Sequence, residues 1–427
     1  MCRTTSLILL VLCSVAPFAA MQASTADRSP RIEALRKELA AGNKAALEQF
    51  WQDVSTQGTP LVEPVAGDPA AALVTFIWRG ADDVKSVFVT GTLVRGERAL
   101  DHRMTNVAGT DVWYRTYKLR RDARFSYRLS PMPAAYEDWR NEIFRGARPD
   151  PLNLSPTKIA ELPDAAAQPW VKRIEGVPQG KVEKLNLKSA ILHNERSVWV
   201  YTPPGYTETG IPCDILVTFD GLNSIIAIPT PVILDNLISK GLIPPVVAVI
   251  LDNPSDEVRG LELPCHPPFA EFLAKEVMPW IRKNYHVTSQ PSRTVVAGQS
   301  YGGLAATFAA FRHPEIFGKV ISQSGTFAWK PDDDREFEWL IRQFVASPRM
   351  PLSLYIEAGL LETVVRSGDR PTMLVANRHM RDVLQARGYS VRYHEFNGGH
   401  EEMNWRGSLA DALIALIGKG KTTKPTH

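Results

Sequence analysis

Residues Thr294-Val295-Val296-Ala297-Gly298-Gln299-Ser300-Tyr301-Gly302-Gly303 decide the fold of the larger part of this 427-residue chain. A short apolar run rich in β-branched residues stops at Gly298, and a helical apolar pattern follows over Leu304–Phe311. A strand, a tight turn carrying serine between glycines, and a helix form the context of a nucleophile elbow. The turn presents the serine at the top of the sheet, and the flanking glycines let strand and helix approach without side-chain collision. Ser300 is therefore the candidate nucleophile.

Outward from this turn, apolar runs at Val198–Tyr201, Ile215–Phe219, Val246–Leu251, Leu352–Ile356 and Val391–Phe396 read as strands. They alternate with helical stretches such as Phe269–Tyr285, whose apolar side chains fall on one face. That alternation predicts an α/β class with a mostly parallel sheet, an α/β-hydrolase domain over residues 183–427. A serine hydroxyl needs a base to become nucleophilic. His400 follows the last strand in Asn397-Gly398-Gly399-His400 and comes after Ser300 and the acid, as the chain order of such enzymes requires. His266, His313, His379 and His394 lack that loop position. The acid is expected after Leu352–Ile356, where Gly359-Leu360-Leu361-Glu362 offers Glu362, with Glu357 and Asp369 as competitors. For the oxyanion hole the N–H of Tyr301 is one donor, and Asp220-Gly221-Leu222 supplies the other from Gly221 or Leu222.

The N-terminal part obeys different periods. Apolar residues between Arg31 and Val54 predict two short helices broken at Gly42-Asn43, and β-rich runs from Leu73 to Leu129 predict a small β-sandwich, so residues 27–129 form a domain of helices and sandwich. Eight prolines interrupt residues 130–182, which read as a linker.

Lys and Arg number 49 against 46 Asp and Glu, and the charges are mixed along the chain, so neither nucleic acid nor a membrane surface is the expected partner. A small molecule is. Residues 1–26 carry the pattern of a secretory signal peptide, with Arg3, an apolar run Leu7–Val15 and small residues after it, which predicts a periplasmic or secreted location. No other segment could span a bilayer, and no Cys and His set has metal-ligand spacing, so neither metal nor cofactor is expected. Cys213 opens one strand and Cys265 follows the end of the next. A six-residue strand separates such positions by about 20 Å, too far for a disulfide, and both thiols are expected free and buried.

With these motifs placed, the chain resembles the enterochelin (enterobactin) esterases over nearly its whole length. The N-terminal half does so through Val74-Thr75-Phe76-Ile77-Trp78-Arg79, Gly109-Thr110-Asp111-Val112-Trp113-Tyr114 and Asp150-Pro151-Leu152-Asn153. The second half does so through Arg259-Gly260-Leu261-Glu262-Leu263-Pro264-Cys265, Ser322-Gln323-Ser324-Gly325 and Gly398-Gly399-His400 with Trp405-Arg406. The resemblance implies an immunoglobulin-like N-terminal domain before the α/β-hydrolase domain. It implies serine-ester hydrolysis of a catecholate siderophore trilactone, ferric or iron-free, for iron acquisition. It also implies that Arg259 stands beside the site, where a guanidinium suits an anionic catecholate. Otherwise Arg259 would make a surface ion pair with Glu262 or Asp256. Glu262, Trp329 and Trp405 are the other expected substrate contacts. The alternative readings are a secreted feruloyl or acetyl esterase acting on carbohydrate, and a siderophore-binding protein without turnover.

Overall fold

The structure, a computed structural model, describes residues 28–418 except 82, 97–98, 134–142, 156–157 and 366–367. The segment expected as signal peptide lies outside the described residues. Two helices, Pro30–Ala40 and Ala46–Gln57, come first; the Ser29 hydroxyl accepts from the Ile32 N–H and starts the first of them. Next come β1 (Leu61–Val65), β2 (Asp68–Arg79), β3 (Ser86–Gly91), β4 (Thr105–Asn106), β5 (Val112–Arg120), β6 (Arg124–Met132) and β7 (Ile159–Glu161). They form a four-stranded antiparallel sheet, β1-β2-β5-β4, and a three-stranded one, β3-β6-β7. Val74 and Phe76 from the first sheet and Val87, Val89, Phe125 and Leu129 from the second share one buried core.

The stretch expected as a linker is part of this unit. Within it, β7 extends the second sheet by pairing Ala160 with Phe125. The Asp150 carboxylate accepts from the Thr59 hydroxyl (2.6 Å) and the Tyr127 hydroxyl (2.8 Å), and Asn153 donates to the Tyr127 oxygen and to the Ile159 carbonyl. Prolines remove the regular backbone partners, so buried side chains tie this stretch down. Hydrophobic periodicity carries no record of that.

The larger part is one eight-stranded mixed sheet of β8 (Lys181–Ser189), β9 (Asn194–Thr202), β10 (Asp214–Thr218), β11 (Val246–Leu251), β12 (Thr294–Gln299), β13 (Lys319–Gln323), β14 (Ser353–Gly359) and β15 (Ser390–Phe396). Its order is β15-β14-β13-β12-β10-β11-β9-β8; β10 to β15 run parallel, and β9 and β8 join antiparallel. Alternation along each strand feeds two cores. Ile215, Val217 and Phe219 face the helices Pro267–Phe272, Met278–Asn284 and Tyr301–Arg312, whereas Leu216 faces Thr230–Ser239 and Glu402–Ile417. Burial on both faces explains why the parallel strands read as continuous apolar runs. Cys213 and Cys265 are free and buried, as expected. Among the described residues no helix is long and apolar enough to cross a membrane.

Candidate active site

Ser300 sits between β12 and the helix Tyr301–Arg312 with φ 57° and ψ −120°, a conformation uncommon outside glycine and one that stores local strain. The neighbouring structure holds it there. Its N–H donates to the Gln323 carbonyl (3.0 Å), and its own carbonyl accepts from Leu304 and Thr326 (both 3.1 Å). A Cβ on Gly298 would collide with the backbone of Gly302, and one on Gly303 would stand 2.7 Å from the Ser322 hydroxyl, so both positions require glycine. The Ser300 hydroxyl lies 3.4 Å from that of Thr326.

The structure brings Glu362 to His400, with Oε2 3.4 Å from Nδ1. The carboxylate is buried, and its other oxygen accepts from the Ser324 hydroxyl (2.5 Å) and the Gly359 N–H (3.1 Å). Trp405 donates from Nε1 to the same Ser324 oxygen (3.0 Å), and its ring meets His400 edge to face at 4.8 Å. Thus the indole holds both the imidazole and the hydroxyl that steadies the acid. Glu357, a competitor, is fully buried beneath, bonded to Gln323 and Ser408, and burial pushes its pKa up to about 8. Its carboxyl is therefore mostly protonated at neutral pH. Asp369, the other competitor, is exposed.

The oxyanion position is narrower than the sequence left it. The Gly221 N–H already donates to the Leu251 carbonyl (3.1 Å), which corrects its candidacy as a donor. Its glycine is needed for another reason: at φ +37° a Cβ would collide with the Asp252 carboxylate. Leu222 and Tyr301 remain, each at the start of a helix, where N–H groups have no acceptor within the helix itself.

Of the four expected substrate contacts, Arg259 and Trp405 line the site, whereas Glu262 and Trp329 do not. Arg259 lines the site, but its guanidinium is bound to Asp220 through two bonds of 2.5 and 2.8 Å, not to Glu262 or Asp256. It therefore braces the strand end that leads to Leu222. Glu262 is buried in an ion pair with Arg196 (2.8 Å) and bonds Asn194, so its charge is consumed inside the fold. Trp329 packs edge to face on Trp339 at 6.1 Å, in the apolar core; its neighbour Ala328 lines the cavity instead. Trp405 is 5% exposed and lines one edge of the site while supporting His400.

Two cavities meet at Ser300 and His400. One, of about 270 Å³, is walled by Thr92 and Arg95 from the N-terminal part and by Thr326, Glu362, Arg370 and Met373. The other, of about 480 Å³, is walled by Asp220, Asp252, Asn253, Asp256, Arg259 and Glu402. Burial raises the pKa of Asp252. Thr92, Arg95 and Arg370 had no signal in the sequence, since nothing in their local pattern reports which surface they meet. Thr326 had one: it follows Ser322-Gln323-Ser324-Gly325 directly. Among the described residues no His, Cys, Asp or Glu group is arranged to hold a metal ion.

A family model described as "Putative esterase" matches residues 189–416, and one described as "Enterochelin esterase, N-terminal" matches residues 73–171. The chain is 30% identical over 423 residues to the iron(III) enterobactin esterase of Dickeya dadantii (strain 3937), covering 89% of this chain and 95% of that protein. The ferric enterobactin esterase of Salmonella typhimurium superposes with a TM-score of 0.72 at 28% identity, covering 86% of this chain and 98% of that one. For the enterobactin esterase of Shigella flexneri, whose crystal structure was determined in the presence of enterobactin, the TM-score is 0.70 at 28% identity, with 86% and 97% covered. Two adjoining matches that span both parts of the fold, with relatives matched over nearly their full length, place this carboxylic-ester hydrolase in the enterochelin (enterobactin) esterase family.

Proposed function

We propose that the protein hydrolyses the ester bonds of a catecholate siderophore trilactone, with or without iron, through an acyl-serine intermediate. The observation that carries the proposal is the meeting of Ser300, His400 and Glu362 at a cavity walled by Arg95 and Arg370. Two guanidinium groups beside a nucleophile suit an anionic aryl ester, because they offer planar donors and can stack on rings. The Shigella flexneri relative crystallised in the presence of enterobactin supports the same substrate.

In this reading Ser300 Oγ attacks the ester carbonyl as His400 Nε2 takes its proton. Glu362 holds the proton on Nδ1 and stabilises the imidazolium. The carbonyl oxygen becomes an oxyanion facing the N–H groups of Tyr301 and Leu222. His400 returns the proton to the departing alkoxide, leaving an acyl-Ser300. Water, activated by the same imidazole, then releases the carboxylate and restores the hydroxyl.

The proposal extends to the finer architecture and the location. The two N-terminal sheets are read as an immunoglobulin-like sandwich, the larger part as an α/β-hydrolase domain, and residues 1–26 as a leader for a periplasmic enzyme. Osmotic-shock fractionation tests the location: a cytosolic protein would end it. For the reaction, a chromatographic time course with cyclic enterobactin, with and without iron, is run beside Ser300→Ala. Linear products from the wild type alone support the proposal. An unchanged trilactone alongside turnover of methyl ferulate would transfer the activity to feruloyl esters of carbohydrate.

A further inference from the structure

We propose that Glu401 is a positioning residue through which the N-terminal domain fixes His400. Glu401 is the residue just before the helix Glu402–Ile417. The short side chains of Ser, Thr, Asp and Asn cap helices from that position, and glutamate is not among them. The Glu401 side chain makes no bond to its own helix and reaches across to the N-terminal domain. There it accepts from the Thr92 hydroxyl, the Ser126 hydroxyl and the Ser126 N–H (2.9 Å). Glu401 is 8% exposed, and Thr92 is 7% exposed. Three bonds to the N-terminal domain are thus concentrated on the residue next to the candidate base.

The surrounding contacts all press on the same loop. Arg124 donates its N–H to the Asn397 carbonyl (2.9 Å), and Asn397 donates its side-chain amide to Asp122 (2.7 Å). Gly399 faces Thr92 so closely that a Cβ would collide with Thr92 Cγ2, and a Cβ on Gly398 would stand 2.6 Å from the Arg124 carbonyl. On its other side, Gly398 accepts from the Leu361 N–H (3.0 Å), one residue before Glu362. The His400 loop is thus clamped between the acid loop and the N-terminal domain. Glu401 is the part of that clamp whose carboxylate accepts from three donors next to His400. Loss of such bonds leaves the buried Thr92 hydroxyl to satisfy and frees the imidazole to drift, and a displacement near 1 Å can cost about 10²-fold in rate.

This inference rests on Ser300 as nucleophile and His400 as base, but not on the siderophore. Its test therefore uses a small neutral aryl ester and a fluorophosphonate that labels Ser300, on the full chain. Glu401→Ala should lower kcat and the labelling rate at least tenfold with KM within about twofold of wild type. Glu401→Gln should recover most of that loss, because its amide oxygen accepts and the two hydroxyls can reorient toward its NH₂ group. Ser126→Ala, which removes one donor from the far domain without touching the hydrolase domain, should give a loss of about two- to fivefold in the same two rates. A folded Glu401→Ala with wild-type labelling and kcat overturns the inference. Should that variant fail to fold, Ser126→Ala decides, and unchanged rates overturn it. A wild type that no fluorophosphonate labels would instead sink the Ser300 reading.

Discussion

The two cavities that share Ser300 and His400 have opposite electrostatic character. The first has Arg95 and Arg370 in its wall with Glu362 turned inward to His400. The second gathers Asp220, Asp252, Asp256 and Glu402 against the single guanidinium of Arg259, which Asp220 already binds. By these formal charges, an anionic substrate is expected to favour the first cavity over the second. The first cavity is assembled jointly, since Thr92 and Arg95 come from the N-terminal part of the chain.

The largest test removes what the cavities share. Ser300→Ala should lower kcat by about 10⁴-fold or more while enterobactin binding stays within a few fold, measured by fluorescence titration. Lost binding with retained turnover would break the comparison outright. Next, Glu362→Gln should lower kcat by about 10²–10⁴-fold, because the imidazole loses the charge opposite its Nδ1. Glu357→Gln should cost less than tenfold, since it replaces a mostly neutral carboxyl with a neutral amide; equal losses would mean that the wrong carboxylate has been paired with His400. Arg95→Glu should raise KM for ferric enterobactin about tenfold at low salt, and leave a neutral aryl ester unchanged. Asp256→Asn should lower the same KM about twofold, the smaller effect because Asp256 is exposed and screened. If both charge changes moved KM in the same direction, the two cavities would not differ in the way described.

A final test concerns stability. The folded-state pKa of Glu357 is raised to about 8 by burial, against an ordinary value near 4.5 in the unfolded chain. Between those values the folded state holds a proton that the unfolded state has lost, so the contribution is complete below the lower value and disappears as pH rises through the upper one. The wild type should therefore lose roughly a few degrees more in melting temperature between pH 5 and 8.5 than Glu357→Gln does. Parallel curves would show that Glu357 is not buried as described.

Much of the site was legible because its signals are local. A glycine pattern around Ser300 follows from backbone collisions within a few residues, and the positions of Glu362 and His400 follow from the ends of strands. The continuous apolar strands were legible for a related reason: a sheet covered on both faces needs apolar side chains at every position. What failed was partner choice. Arg259, expected beside substrate with Glu262 or Asp256 as its other possible partner, lines the site and binds Asp220; Glu262, also expected at substrate, binds Arg196. Helical and loop charges lie near several candidates in sequence, and only chain packing selects one. The stretch 130–182 failed likewise, because Asp150 and Asn153 hold it through side-chain bonds that have no period.

The sequence by itself determined the strand, turn and helix that strain Ser300, the order of Ser300, Glu362 and His400 at the ends of successive strands, and the family resemblance, because each is written in neighbouring residues. Only the tertiary structure decided that the Gly221 N–H is bound to Leu251, that Trp405 supports His400 as well as lining the site, and that Thr92, Arg95 and Glu401 bring the N-terminal part to His400. These depend on which distant surfaces meet, and that is settled by how separately packed cores come together rather than by any local pattern.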